Sequence, residues 1–317
     1  MTGWTVLDIP EQTGRTFVVT GANSGLGLST SIGLARAGGR VVLACRQARR
    51  SENACLAILR AVPGADLLEV RLDLSEQESA RQAAADVAGM VGRVDVVIAN
   101  AGVMATRFAR TGDGFELQTA VNHLGHFAFV GSLLPSLLAS EAPRVVVVSS
   151  ILHRFGRVDV ADLNWNRRRY RRWAAYAQTK LANLLYAGEL ARRSAAAGRP
   201  IVAAAVHPGF ADTNLIHANV ALARTDPGRA LAQAFNDHVA QPADVGALPS
   251  LYAATMPDVA AGSVHGPAGA FELRGRPVSV RPSRRALDSD LARQLWDVST
   301  ELTGVPYVFP SPSTTPG

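Results

Sequence analysis

The chain has 317 residues, 48% of them apolar and 18% charged, with a formal net charge of +6. This balance predicts a folded chain with a sizeable core and excludes an intrinsically disordered protein. Because no apolar run reaches the ~20 residues of a membrane span, residues 1–11 lack a secretory-signal pattern, and two cysteines are too few for a disulfide framework, we expect a cytoplasmic protein.

Short β-branched runs alternate with longer helical patterns from Arg15 to about Ile201. The predicted strands are Thr16–Thr20, Arg40–Ala44, Leu67–Leu72, Val94–Ala99, Arg144–Ser149 and Ile201–Val206. The predicted helices are Leu26–Ala37, Ala48–Arg60, Glu76–Val91, Phe115–Leu138 and Trp173–Ala197. Continuous apolar runs such as residues 145–148 are typical of strands buried on both faces of a parallel sheet. The alternation predicts an α/β fold, a Rossmann-type doubly wound parallel sheet flanked by helices in a single domain.

The pattern is weaker beyond Pro208. Residues 212–236 have weak helical character, residues 243–254 are typical of a helix, and residues 265–269 indicate a turn before a last strand near Phe271. We expect one catalytic domain over residues 1–306, with residues 210–255 forming an apolar substrate lid inside it. Residues 307–317 are expected to be a disordered tail.

A glycine-rich segment, Thr20-Gly-Ala-Asn-Ser-Gly-Leu-Gly27, joins the first strand to the first helix. Glycines let the backbone approach a pyrophosphate, and a helix N-terminus offers free N–H groups to it. An ordinary strand-to-helix turn is the alternative interpretation. The order of strand, loop and helix favours a dinucleotide site.

The second predicted strand leads into Cys45 and Arg46, with Arg49 and Arg50 close behind. At this position an acid favours NAD, whereas an arginine accommodates the 2′-phosphate of NADP. Arg46 could instead be a solvated side chain of a basic protein, but the pattern favours NADP(H). Asp73, after the third strand, is placed either to contact the adenine or to cap a helix.

Tyr176 and Lys180 lie four residues apart in a predicted helix and therefore share one face. Lys180 is the only lysine of the chain; the other basic residues are arginines. An ammonium ~4 Å from the phenol is worth about 4 kcal/mol, or roughly three pKa units, at an effective dielectric constant of ~20. We therefore predict that Lys180 lowers the pKa of Tyr176 and enables acid–base catalysis. A surface Tyr–Lys pair is the alternative.

Ser149 and Ser150 end the fifth predicted strand, where the binding crevice of such a sheet forms. A hydroxyl there can bind a substrate carbonyl, or it can cap a turn; we favour Ser150 for the first role. Asn122 lies in an apolar predicted helix and needs a partner, which could be backbone, water or Lys180.

Together these segments resemble the classical short-chain dehydrogenase/reductase family, and within it the retinol-dehydrogenase-like reductases. The similarity runs from about Gly14 to Gly269. It is carried by the segments Thr20–Gly27, Ala44–Arg46, Leu72–Leu74, Asn100–Gly102, Val121–Phe127, Val148–Ser150, Tyr176–Lys180 and His207–Thr213.

The resemblance implies a catalytic tetrad. Tyr176 would be the acid/base, Lys180 would lower its pKa and hold the nicotinamide ribose, Ser150 would orient the carbonyl, and Asn122 would position a water linking Lys180 to solvent. The cofactor-binding residues that it implies, beside Tyr176 and Lys180, are Gly21, Asn23, Ser24, Gly25, Leu26, Gly27, Arg46, Asp73, Leu74, Asn100, Ala101, Gly102, Pro208, Gly209 and Thr213. It also implies possible homodimers or homotetramers through the two long helices.

Two features depart from the family pattern. Ala99 stands where many relatives have an asparagine, which should weaken a local hydrogen bond without removing activity. The 26-residue step from Ser150 to Tyr176 is longer than in the simplest relatives, although retinol-dehydrogenase-like members share such an insertion. It contains an arginine cluster, Arg167–Arg172. This cluster could receive an anionic substrate, a carrier-protein phosphate or a membrane surface, or it could be a solvated loop.

The predicted function is NADP(H)-dependent interconversion of a carbonyl and an alcohol on a hydrophobic or polycyclic small molecule. We expect no nucleic-acid partner, no transmembrane segment and no metal, since His123 and His126 lack an acid to complete a ligand set. Two alternatives remain: a nucleotide-binding regulatory protein without turnover, and a double-bond reductase of the protochlorophyllide-reductase type.

Overall fold

The computed structural model describes residues 3–210 and 241–309. The strands in these ranges are β1 (Thr16–Thr20), β2 (Arg40–Cys45), β3 (Leu67–Arg71), β4 (Val96–Ala99), β5 (Arg144–Val148), β6 (Val202–Val206), β7 (Val264–Pro267) and β8 (Pro277–Ser279). The helices are α1 (Gly25–Arg36), α2 (Ala48–Ala61), α3 (Gln77–Val91), α4 (Leu117–Thr119), α5 (Gly125–Ser132), α6 (Leu134–Leu138), α7 (Arg172–Ala196), α8 (Ala243–Thr255) and α9 (Ser289–Thr303). None of these helices combines the length and apolar character that crossing a bilayer requires.

The strands of the described ranges form one sheet in the order β3-β2-β1-β4-β5-β6-β7-β8. All neighbours are parallel except β8, which is antiparallel to β7. The winding direction reverses between β1 and β4, and a doubly wound sheet binds its ligand at such a point. The predicted Rossmann-type fold is confirmed.

The two faces of the sheet explain the continuous apolar runs. Val18 and Val97 point into the core on the side of α3 and α5, whereas Phe17, Val19 and Ile98 point into the core beneath α1 and α8. All five side chains are fully buried. Both faces are therefore covered by helices, as expected for a parallel sheet whose strands lack polar alternation.

The predicted helix Phe115–Leu138 is not continuous. It divides into α4, a π-helical turn at Ala120–Leu124, α5 and α6. The first break places a wider turn at Asn122, and the second precedes Pro135, which lies in the first turn of α6 and cannot donate a backbone hydrogen bond. The spacing of apolar residues predicts which face of the helix is buried, but it does not reveal where one extra residue widens a turn.

Two predictions of secondary structure in the C-terminal third are wrong. Residues 264–267 form strand β7 rather than a turn, and the last described strand is β8, because Phe271 lies in a short 3₁₀ turn, Ala270–Glu272. Helix α8, which is the last part of the predicted lid, lies on the sheet, and its Leu251 packs against Gly33 of α1. Its alanine-rich, apolar character reflects burial. Residues 211–240, the rest of the predicted lid, lie outside the described residues.

The C-terminal helix completes the core. Helix α9 packs against α5 and α7, and Trp296 from α9 enters an aromatic cluster with Phe127, Tyr186 and Tyr307. The Tyr307 hydroxyl donates a 2.8 Å hydrogen bond to the carbonyl of Phe127. Tyr307, the first residue of the expected tail, is thus packed against the core; residues 310–317 lie outside the described residues. Helix α9 therefore covers part of the surfaces of α5 and α7.

Replacement of Trp296 by alanine should lower the free energy of unfolding by about 3–5 kcal/mol, because it leaves a large cavity among three aromatic rings. Trp296 is buried, whereas Trp173 is about half exposed. Trp173→Ala is the matched control and should cost less than about 1 kcal/mol. Urea unfolding followed by circular dichroism measures both changes, and equal losses would contradict the assignment of Trp296 to the core.

Candidate active site

A cleft of about 360 Å³ opens at the carboxyl ends of β1, β2, β3 and β4. Its lining includes most of the predicted cofactor residues, namely Gly21, Asn23, Ser24, Gly25, Leu26, Gly27, Arg46, Asp73, Leu74, Asn100, Ala101 and Gly102. These residues come from four separate segments of sequence. The topology brings them together at the reversal point of the sheet.

The floor of the cleft requires glycine at two positions. Gly21 has φ +66°, which favours glycine, and a Cβ at Gly27 would lie only 2.6 Å from the Asn100 side-chain nitrogen. Ser24 precedes α1 without a capping hydrogen bond from its side chain, so the first N–H groups of the helix remain available. The floor therefore fits a pyrophosphate at a helix N-terminus.

Two guanidinium groups border the far end of the cleft. Arg46 follows β2 with its side chain 63% exposed, and its Nε lies 4.0 Å from Asp73 Oδ2. Arg50, one helical turn further along the chain, also lines the cleft. Asp73 accepts hydrogen bonds from the backbone N–H and the hydroxyl of Ser75. It therefore stabilises a turn and also lines the cleft.

Arg50, which stands close behind Arg46 in the sequence, lines the cleft with it. Five apolar lining residues were not among the predicted cofactor residues: Ala44, Leu72, Val103, Leu117 and Val121. These apolar residues carry no distinguishing signal, because an apolar side chain in a cleft wall has the same sequence character as one in the core.

Tyr176, Ser150 and Lys180 converge beside the cleft. The Ser150 hydroxyl is near enough to the Tyr176 phenol to lower its pKa, and the Lys180 ammonium lies over the face of the Tyr176 ring, 5.6 Å from its centroid. Nζ of Lys180 donates to the carbonyl of Val148 at 3.1 Å. A Cβ at Gly102 would lie 3.6 Å from that Nζ, so the ammonium adjoins the cleft floor.

The pKa of Tyr176 shifts upward in this arrangement, opposite to the lowering predicted from Lys180. Burial raises the pKa of Tyr176 to about 12, and the nearby Ser150 hydroxyl opposes this shift only in part. Burial also lowers the pKa of Lys180 to about 8, which weakens its positive charge at mildly alkaline pH. An ammonium ~4 Å from the phenol would lower its pKa in a solvated pair, but here both groups are removed from water, and the cost of that removal opposes their ionisation.

The two adjacent serines have different surroundings. Ser149 is buried and donates a 2.7 Å hydrogen bond to the carbonyl of Lys180, which ties β5 to α7. Ser150 begins a 3₁₀ turn, Ile151–Phe155, and accepts from the backbone N–H of Leu152. Ser150 therefore caps a turn and also lies near the phenol.

Asn122 is buried in the π-helical turn and is satisfied by protein groups. Its Oδ1 accepts from the Val103 N–H at 2.7 Å, and its Nδ2 donates to the Val103 carbonyl and to the Thr179 hydroxyl. Among the described residues, backbone and Thr179 are thus its side-chain partners, and Lys180 is not. The contact nevertheless joins the cleft wall at Val103 to helix α7 next to Tyr176.

The residues predicted to contact the carboxamide are only partly described. Pro208 and Gly209 follow β6 and lie outside the lining of the cleft, and Thr213 lies outside the described residues. His207 Nε2 is 2.9 Å from Glu272, which also pairs with Arg154. This contact links the loop after Ser150 to the segment between β7 and β8.

The comparisons with known proteins agree with this geometry. Residues 15–222 match the family model of short chain dehydrogenases. The chain belongs to the short-chain dehydrogenase family. It is 38% identical over 296 residues to human retinol dehydrogenase 13, covering 92% of this chain and 85% of that protein.

Two solved structures are also similar to this chain. An uncharacterized protein from Mycobacterium paratuberculosis is 43% identical with a TM-score of 0.80, covering 97% of this chain and 100% of that one. A protein assigned as an NAD(P)-dependent gluconate 5-dehydrogenase from Beutenbergia cavernae, solved with bound NADP, is 28% identical with a TM-score of 0.61, covering 80% and 95%. The similarity to short-chain dehydrogenases thus extends over most of the chain.

The arginine cluster of this short-chain dehydrogenase divides into two kinds of residue. Arg168 is structural: it pairs with Asp162, donates to the Gln178 side chain and lies 3.9 Å from the centre of the Trp165 ring. The other members of the cluster, Arg167, Arg169, Arg171 and Arg172, are exposed, and no salt bridge to their side chains occurs within residues 3–210 and 241–309.

Proposed function

We propose that the chain is an NADP(H)-dependent oxidoreductase that interconverts a carbonyl and an alcohol on a hydrophobic small molecule, with Tyr176 as the acid/base. The observation that carries this proposal is the convergence of Tyr176, Ser150 and Lys180 beside a glycine-floored cleft. NADPH in that cleft would supply the hydride. The side chains of the protein supply and place the proton.

The buried phenol is suited to the reductive direction. Because burial raises the pKa of Tyr176 to about 12, its hydroxyl stays protonated near neutral pH. A protonated phenol can donate its hydrogen to a carbonyl oxygen as negative charge develops there. The Ser150 hydroxyl, near the same phenol, can donate to that oxygen and orient it.

The arginines at the far end of the cleft favour NADP(H) over NAD(H). Arg46 and Arg50 both line the cleft and would hold a phosphate on the ribose through charge-assisted hydrogen bonds. The 63% exposure of the Arg46 side chain leaves it able to reorient toward such a phosphate. Asp73 beside Arg46 opposes this preference only partly, since Ser75 already occupies one carboxylate oxygen.

Apolar side chains near the phenol favour a hydrophobic substrate. The Trp173 ring stands edge-on to the Tyr176 ring with 6.5 Å between centroids, and it is about half exposed. Ile151 and Leu152 are half-buried in the turn after Ser150, and Phe155 is exposed at its end. An apolar substrate would cover these groups from water.

A side-by-side screen with NADPH and NADH tests the proposed function. The purified protein is incubated with aliphatic, aromatic and polycyclic aldehydes and ketones, and loss of the reduced cofactor is followed by absorbance. We expect turnover with apolar carbonyls and NADPH in darkness. Tight NADPH binding without turnover would favour the regulatory protein, and turnover only under illumination would favour a double-bond reductase.

The Arg46→Ala variant should bind NADPH about tenfold more weakly, because one charge-assisted hydrogen bond contributes about 1.5–3 kcal/mol and exposure to solvent reduces it. NADH affinity should change by less than about threefold. Arg49→Ala removes the same charge from an exposed position outside the cleft lining and is the matched control. Calorimetric titration measures all four affinities; equal losses for both cofactors would contradict a role in selecting the phosphate.

A further inference from the structure

The Thr20 hydroxyl lies at the centre of a buried network beneath the cleft floor. Its Oγ1 accepts the backbone N–H groups of Asn100 at 2.9 Å and of Ala101 at 3.0 Å. A hydroxyl oxygen has two lone pairs, so both are used and its own hydrogen must go to another acceptor. The candidates are His126 Nε2 at 2.8 Å and the Ile98 carbonyl at 3.4 Å. The distances favour His126.

This arrangement fixes the tautomer of His126. If Nε2 accepts from Thr20, it carries no hydrogen, and a neutral imidazole then has its hydrogen on Nδ1. Nδ1 lies 3.2 Å from the main-chain carbonyl of Asn122, which can accept that hydrogen. Each ring nitrogen thus has one partner of the matching kind, with no polar atom left over.

The neutral form is stabilised by its surroundings. His126 is 2% exposed, and burial lowers the pKa of His126 to about 3, with Lys180 and His123 acting in the same direction. A protonated ring would place an N–H against a Thr20 oxygen whose lone pairs are already engaged. The imidazole therefore acts as a fixed donor and acceptor and not as a proton carrier at neutral pH.

The two ends of the ring connect different parts of the site. Thr20 holds the turn at Asn100, whose side chain donates to the Thr20 carbonyl and packs on Gly27 of the glycine-rich floor. Asn122 holds Val103 and contacts Thr179, between Tyr176 and Lys180 in α7. The buried His126 ring therefore connects the cofactor floor to the segment that contacts the catalytic helix.

We propose that His126, as the neutral Nδ1–H tautomer, is a positioning residue that couples the cofactor floor to the catalytic residues. Its Nε2 orients the Thr20 hydroxyl and, through it, the Asn100–Ala101 turn; its Nδ1–H orients the Asn122 carbonyl. This inference rests on the proposed function for its kinetic consequences, whereas the tautomer and the cofactor-floor contact do not depend on turnover.

Two amide variants test the contacts of the two ring nitrogens separately. His126→Asn can retain a donor near Nδ1 but does not reach Thr20, so we expect NADPH affinity to fall about fivefold to tenfold with kcat within about threefold. His126→Gln can place an acceptor near Nε2 but loses the donor to Asn122. For this variant we expect kcat to fall about fivefold to tenfold with NADPH affinity within about threefold.

The closing experiment combines these variants with direct detection of the tautomer. Long-range ¹H–¹⁵N correlation spectra of histidine-labelled protein, with the His126 signals identified by their loss in His126→Gln, should show a protonated Nδ1 and a bare Nε2. Calorimetry then gives NADPH affinity, and stopped-flow kinetics give turnover. The opposite tautomer, or parallel losses of affinity and kcat in both variants matching a loss of thermal stability, would overturn the coupling role. Turnover of the wild-type protein is measured separately. An inactive wild type would reject the proposed function, and the spectrum and the NADPH affinity would still decide the role of His126.

Discussion

Replacing Tyr176 with phenylalanine should lower kcat for carbonyl reduction by about 10²–10⁴-fold, the usual contribution of a general acid. The variant loses one oxygen from a buried ring that packs beside Trp173, so the fold and the cleft floor remain. NADPH affinity should therefore stay within about threefold of the wild type. Steady-state kinetics with the best carbonyl substrate, together with calorimetric titration of NADPH, measure the two effects.

Tyr186→Phe is the matched control for this variant. Tyr186 lies in the same helix and is also buried, but its hydroxyl bonds to the Tyr307 hydroxyl in the C-terminal aromatic cluster. Its loss should reduce stability and leave kcat within about twofold. Equal activity of Tyr176→Phe and the wild type would remove Tyr176 from the reaction and refute the proposed acid.

Replacing Lys180 with arginine should lower kcat/KM by about 10²-fold although the charge is retained. The ammonium is 4% exposed and fits between the carbonyl of Val148 and the backbone at Gly102. A planar guanidinium is wider and presents its donors in a fixed fork, so it cannot occupy this space without moving the cleft floor. Full activity of the arginine variant would show that the compact ammonium is unnecessary.

The same residue should set the alkaline limb of the pH profile. Burial lowers the pKa of Lys180 to about 8, so its charge is present below about pH 8 and is lost above it. For the wild type we expect kcat/KM to decline above this pH, because kcat/KM reports the ionisations of the free enzyme. The residual activity of Lys180→Arg should lack this decline, since a guanidinium does not titrate in this range.

A direct titration provides an independent check. Lys180 is the only lysine in the 317 residues, so ¹⁵N labelling of lysine gives a single Nζ signal. Its chemical shift followed against pH should show a midpoint near 8, well below the ordinary value of about 10.4. A midpoint near 10 would contradict the desolvated environment found here.

The fold class and most of the cleft could be predicted because their signals are local. A buried parallel strand has a continuous apolar run, and the segment from Thr20 to Gly27 places its glycines where the backbone turns and packs closely. Once the strands alternate with helices, the topology rules bring Arg46, Asp73 and Asn100 to one edge of the sheet.

Properties that depend on burial and on distant neighbours could not be predicted in the same way. The pKa of Tyr176 rises because solvent is excluded, which a four-residue spacing does not reveal. Helix α8 has an apolar composition that suits a lid and a core equally well, and its contact with Gly33 is not evident from the sequence. The π-helical turn at Asn122 likewise depends on tertiary contacts with Val103 and Thr179.

The aromatic cluster under α9 has a consequence for synthesis of the chain. Phe127 is translated long before its hydrogen-bond partner Tyr307, 180 residues later. Until α9 leaves the ribosome, the rings of Phe127 and Tyr186 on α5 and α7 lack the Trp296 face that covers them. The nascent polypeptide must therefore carry an uncovered aromatic surface until α9 has been synthesised, and such a surface is of the kind that chaperones bind.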